Sequence, residues 1–165
     1  MRISEEPTQD NIQQLIDKLP ASLSPVERML LCHDGTVQTA LSILFRVPVK
    51  IEVLSQYSLP EDQVIVRWVR QVAEYSPGDQ TTVCLAESVI PIKKNPPGFI
   101  TGITEKFFGI GQLIKSLNLT THREIQGVYG DSDTIARNYL ITGDCFLLIT
   151  ETFSRHVLKK ADSVT

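Results

Sequence analysis

The chain reads as an α+β protein, an antiparallel sheet with helices on one side. Three observations predict it. Apolar residues recur at helical spacing only within residues 9–45 and 98–117. Elsewhere β-branched and aromatic residues dominate or alternate with polar ones, as in strands. The strand candidates mostly follow one another through short turns rich in Pro, Gly and Asp, not through a repeated alternation with helices. At 165 residues with 42% apolar and 21% charged residues, the chain suits a single domain, 1–165, built on one hydrophobic core.

Ile12, Leu15, Ile16 and Leu19 form a helical stripe that Pro20 ends. Ser24, Pro25 and Glu27 form a helix opening, with Ser as N-cap and Pro at the first helical position, leading into VERMLLCH. Asp34-Gly35 turns the chain into a second short helix, TVQTALSILF, with Val37, Ala40, Leu41 and Leu44 on one side and Pro48 blocking continuation. VPVKIEVL then alternates Val47, Val49, Ile51 and Val53 against Lys50 and Glu52, a strand with one wet face. DQVIVRWVRQVAEY and TTVCLAESVIPI form a hairpin around Ser76-Pro77-Gly78-Asp79. Asn95-Pro96-Pro97-Gly98 leads into two short helices broken near Gly109 and Gly111, the second packed by Leu113, Ile114 and Leu117. HREIQGVY, IARNYLIT and CFLLITETF supply three further strands, and the tail from Arg155 reads as loosely held.

Composition excludes several classes of function. A formal charge of −3 without a run of Lys and Arg argues against nucleic acid. MRISEEPTQD is acidic and polar where a secretory signal is basic then apolar, and no apolar run reaches membrane-spanning length, so a cytoplasmic protein without a membrane partner is expected. Cys32, Cys84 and Cys145 are odd in number and widely spaced, fitting core residues better than disulfides or a zinc site. His33, His122 and His156 lack ligand spacing, and no GxGxxG or GxxxxGK loop occurs.

The informative residues are charges on apolar faces. In CFLLITETF an extended chain places Cys145, Leu147, Ile149, Glu151 and Phe153 on one face. A carboxylate there requires either a frayed strand end or a partner, because desolvating it alone is heavily penalised. Read the same way, the long strand places Val64, Val66, Trp68, Arg70 and Val72 together, so Arg70 shares the predicament of Glu151. Either they form a plain salt bridge, which seldom stabilises more than an apolar pair, or both point into a ligand cavity. Glu87, on a face with Val83, Leu85 and Val89, competes as the partner of Arg70, and residue chemistry does not rank the two acids.

LLCHDGTVQTAL, RWVRQVAEY, AESVIPI, IGQLIKSL and LLITETF, in that order and over most of the chain, resemble the chorismate lyase family in its shorter archaeal and plastid-type branch. The resemblance implies a six-stranded antiparallel sheet with helices covering an enclosed ligand site, and conversion of chorismate to 4-hydroxybenzoate and pyruvate without cofactor or metal. It implies that Arg70 grips the substrate carboxylate, that Glu151 faces the hydroxyl end of the ring, and that backbone amides at Val37 and Leu113 complete the pocket. Phe, Trp and aliphatic side chains would form dry walls, and GFITGITEKFF a moving cover around Gly98, Gly102 and Gly109. The chain departs from the family at Glu87, where the best-studied branch has arginine, at Ser154-Arg155, where it has proline, and at Gln112-Leu113-Ile114, which stands for a PLG motif. Arg123 or Arg137 could replace the missing cation, although both are expected at the surface. A non-catalytic domain of the same fold, binding a small aromatic carboxylate as in transcription-regulator effector domains, is the alternative. Such domains follow a DNA-binding helix-turn-helix, for which the 20 or so residues before the first core helix are too few.

Overall fold

A computed structural model of the protein describes residues 22–33, 37–105 and 108–162, together with Gln14, Asp17 and Leu19. Most of the first expected helix, including Ile12, Leu15 and Ile16, the Asp34-Gly35 turn and part of the GFITGITEKFF cover lie outside the described residues. Among the described residues the elements are α1 (Pro25–Cys32), α2 (Val37–Phe45), β1 (Val49–Leu59), β2 (Val64–Ser76), β3 (Asp79–Pro91), a 3-10 turn (Ile92–Lys94), α3 (Pro97–Thr104), α4 (Ile110–Ser116), β4 (Thr121–Gly130), β5 (Thr134–Gly143), β6 (Leu147–Ser154) and α5 (Arg155–Asp162).

Every strand pairing is antiparallel, in the order β1-β2-β3-β6-β5-β4. Two three-stranded meanders therefore meet at β3 and β6. The long connection between them carries α3 and α4 across one face before β4 starts the second meander at the far edge. Gly78 adopts φ +85°, a left-handed conformation that turns the β2–β3 hairpin and that a residue with a Cβ rarely adopts. The helices pack on one face, while on the other Trp68 and Leu85 stay 41% and 43% exposed.

The α1 N-terminus forms as its sequence predicts. Ser24 Oγ accepts from the Glu27 amide at 3.2 Å, and Glu27 Oε2 accepts from the Ser24 amide at 2.7 Å. Gln38 Nε2 donates to the Val49 carbonyl, and Ser42 Oγ accepts from the Val49 amide, fastening α2 to the start of β1.

Two expectations are corrected. Over residues 155–162 the tail is not loose: it forms α5, whose Leu158 is buried in the core and whose Arg155 donates from Nε to Glu27 Oε1 at 2.7 Å. Nor is there one core. One apolar cluster joins α1, α2 and α5 to Val49, Ala73, Cys84, Ile135 and Phe153, and a second joins α3 and α4 to Ile65, Ile90, Ile141 and Leu147. Between them, on the same face, run the buried polar residues Arg67, Gln71, Ser88, Arg137 and Glu151. The reason lies in strand parity: on their inner face β2, β3, β5 and β6 each carry polar residues midway between apolar ends, so the sheet divides its own core.

Burial acts most strongly on Glu27 and raises its pKa, but the bonds from Arg155 and Ser24 together hold it below the usual carboxylate range. A depressed folded-state pKa gives stability that is present above the unfolded value and is lost as pH falls through the folded one. Glu27→Gln is expected to cost about 2 kcal/mol at pH 7 in urea unfolding. That deficit should shrink as the solution is acidified below the ordinary Glu value, because the wild type then loses the same charge.

Candidate functional site

The polar seam opens into a pocket lined from all six strands, the start of α2 and the start of α4. Its inner part has about 70 Å³ open to water centres, room for about five waters or ~150 Å³ of liquid, roughly what a single ring with small substituents displaces. It is not sealed. Gln38, Ile51, Arg67 and Gly109 are shared with a more open groove of about 260 Å³ that runs past Lys50, Phe108 and Gln112.

Arg67 dominates one side. Its Cα is opposite Gln56 of β1 and Ser88 of β3, which turns the side chain inward, and the residue is 1% exposed. Nη2 donates to the Phe108 carbonyl at 2.7 Å, while Nε and Nη1 are buried without a partner. Desolvation lowers its pKa from the ordinary arginine value, yet a guanidinium stays protonated in any such setting. Among the described residues no carboxylate forms a salt bridge with it. Two buried cationic donors without an acceptor make a site for an anion. Gln71 Oε1, four residues along on the same face, is likewise unpartnered.

Glu151 lies at the other side, 5% exposed, on the face expected for it. Its Cα is directly opposite Arg137 on β5, and Arg137 Nε donates to Oε2 at 2.8 Å. Tyr139 Oη donates to Oε1 at 3.0 Å. Burial, and then the charge of Glu151, push the Tyr139 phenol well above its ordinary value, so it keeps the proton that it donates. Everything that Tyr139 and Glu151 still offer the pocket is therefore an acceptor.

Arg70 neither pairs with Glu151 nor shares a cavity with it. Arg70 lies on the opposite face of the sheet, its side chain 38% exposed, with Nε donating to Glu52 Oε2 at 2.6 Å across the β1–β2 pair. The inward residues of β2 are Ile65, Arg67, Val69, Gln71 and Ala73, the complement of the set expected from apolar content. Glu87 also faces away from the pocket, opposite Trp68. Val37 does line the pocket. Leu113 does not, and its amide is engaged by the Gly109 carbonyl at 3.0 Å within α4. Gly109, Ile110 and Gly111 stand at the pocket instead. Among the described residues the apolar walls include Val37, Ile51, Val69, Ile141 and Ile149, with Tyr139 as an aromatic member and neither Phe nor Trp. Arg123 and Arg137, expected at the surface, lie on the inner face: Arg123 lines the pocket with its guanidinium 5.5 Å from the Tyr139 ring centre, and Arg137 is 1% exposed.

The three cysteines are free, with Cys84 and Cys145 buried and Cys32 half-buried. Burial raises the Cys84 thiol well above its usual value, with Glu151 adding to it, and pushes Cys145 to about 11, so neither is a ready nucleophile. Among the described residues no three His, Cys, Asp or Glu side chains converge as metal ligands, and no helix is long and apolar enough to cross a membrane. No family model matches the chain, and a search of curated proteins finds no match.

A buried cation without a counter-charge is a net cost to folding. Arg67→Met is expected to stabilise the protein by on the order of 1 kcal/mol in urea unfolding while removing affinity for benzoate. Arg70→Ala should change stability by less than about 1 kcal/mol and leave benzoate affinity as in the wild type, measured by calorimetric titration.

Proposed function

We infer that the protein is a lyase of the chorismate lyase type, converting chorismate to 4-hydroxybenzoate and pyruvate. One observation carries the reading: a ring-sized pocket with the unpartnered donors of Arg67 on one side and the acceptors of Tyr139 and Glu151, with Arg123 next to Tyr139, on the other. Such a pocket suits a ring bearing a carboxylate at one position and a hydroxyl across from it. The motif order in the sequence supplies the identity of that ring, with Arg67 in the part expected of Arg70.

In this reading Arg67 Nε and Nη1 bind the ring carboxylate, and Glu151 accepts from the ring hydroxyl with Tyr139 beside it. The ether C–O bond at the ring breaks, and the neighbouring hydroxyl-bearing carbon loses its proton. The electron pair of that C–H bond completes the aromatic ring, and the departing enolpyruvate takes up a proton to become pyruvate. Aromatisation drives the reaction, so the protein has to hold the substrate, exclude water and receive one proton. Glu151 is the acid–base group of the pocket. Phe108 then stands at the groove that joins the pocket to solvent.

A second reading is favoured by the occupation of both Glu151 oxygens: a non-catalytic domain that recognises an aromatic hydroxy acid through a fixed carboxylate. Mixing the protein with chorismate separates the two. The lyase releases 4-hydroxybenzoate, followed by ultraviolet absorbance, and pyruvate in equal amount; Arg67→Ala abolishes turnover, and Arg70→Ala retains most of it. Unchanged chorismate together with tight 4-hydroxybenzoate binding selects the second reading.

A further inference from the structure

Arg137 does not line the pocket; it stands behind Glu151. Its Nε holds Glu151 Oε2 at 2.8 Å, and its Nη1 donates to the carbonyls of Leu31, at 3.3 Å, and His33. Those carbonyls belong to the C-terminal end of α1, where a helix leaves acceptors unsatisfied and where its dipole favours a cation. The guanidinium is thus bolted at one end to backbone outside the pocket and at the other to the carboxylate that faces into it. A glutamate has three rotatable side-chain bonds, and the fixed fork of an arginine is well suited to remove that freedom. Stability alone gives little reason for the arrangement, since a buried ion pair seldom outperforms an apolar pair of equal volume.

We propose that Arg137 is a positioning residue: through Glu151 it aims the acceptor side of the pocket at the hydroxyl of the bound aromatic acid. This rests on the reading of the ligand given above. Arg137 then contributes to recognition of the hydroxyl and not of the carboxylate, which Arg67 holds independently.

The test compares calorimetric affinities for 4-hydroxybenzoate and benzoate. Wild type should prefer the hydroxylated acid by roughly tenfold or more, the effect of one hydrogen bond to a charged group. Arg137→Met should abolish the preference while leaving benzoate affinity within about twofold, and Arg137→Lys should restore part of it. Equal weakening of both ligands, with the preference intact, would mean that Arg137 only supports the fold and would overturn the proposal. Should Arg137→Met not fold, because Glu151 is left charged and unpaired, Glu151→Gln is compared with Glu151→Gln/Arg137→Met. An equal preference in the two supports positioning through Glu151, and a further loss in the double variant refutes it. A wild type that binds neither acid, or does not tell them apart, sinks the reading of the pocket and this proposal with it. A normal preference without chorismate turnover rejects catalysis alone.

Discussion

Four central strands each place a polar side chain midway along their buried face, and the rest of the architecture follows from how those groups are satisfied. Arg137 and Glu151 sit directly opposite one another on β5 and β6, so the cross-strand geometry itself makes the bond. Arg67 has no such neighbour: its strand partners are Gln56 and Ser88, neither of them an acid. The buried face therefore holds the guanidinium of Arg137 paired with a carboxylate and that of Arg67 without one. The first fixes a wall, and the second leaves a vacancy of charge. Apolar packing fills the ends of the sheet around them, and α1, α2 and α5 close over one end while α3 and α4 close over the other.

Much of this was legible from the order of residues, and the failures have a common cause. Strand and helix identities followed from period and punctuation, as in the Pro-Gly turn at 77–78 and the Ser24 cap. The inward direction of Glu151 followed because Cys145, Leu147, Ile149 and Phe153 outweigh Phe146, Leu148, Thr150 and Thr152 on the other face. In β2 the same reasoning breaks down, since Val66, Trp68 and Val72 are as apolar as Ile65, Val69 and Ala73. Hydrophobicity then carries no information on parity. What did carry it was the neighbouring strand: Lys50 and Glu52 mark the wet face of β1, and Arg70 is the residue opposite Glu52.

Arg137 was expected at the surface, and is buried, for a different reason. IARNYLIT looks like an ordinary half-wet strand, and nothing within it says that the carboxylate needed to neutralise its arginine lies 14 positions later. Only the pairing of two strands supplies that fact. The tail shows the same limit: RHVLKKAD has too few apolar residues to announce a packed helix. Its attachment depends on Glu27, 128 positions away, and on the capping serine that orients that glutamate.

The place of β6 has a bearing on how the molecule assembles. Of the six strands it comes last in sequence, yet it occupies the middle of the sheet, between β3 and β5. A nascent chain can complete its first meander early, but β3 then waits with one row of amides and carbonyls bare until most of the remaining polypeptide has been made. Such an interval favours slow, long-range closure and exposes an edge to strangers. A shortened chain lacking β6 would lose the keystone joining its halves, and with it two new sticky borders would face the solvent.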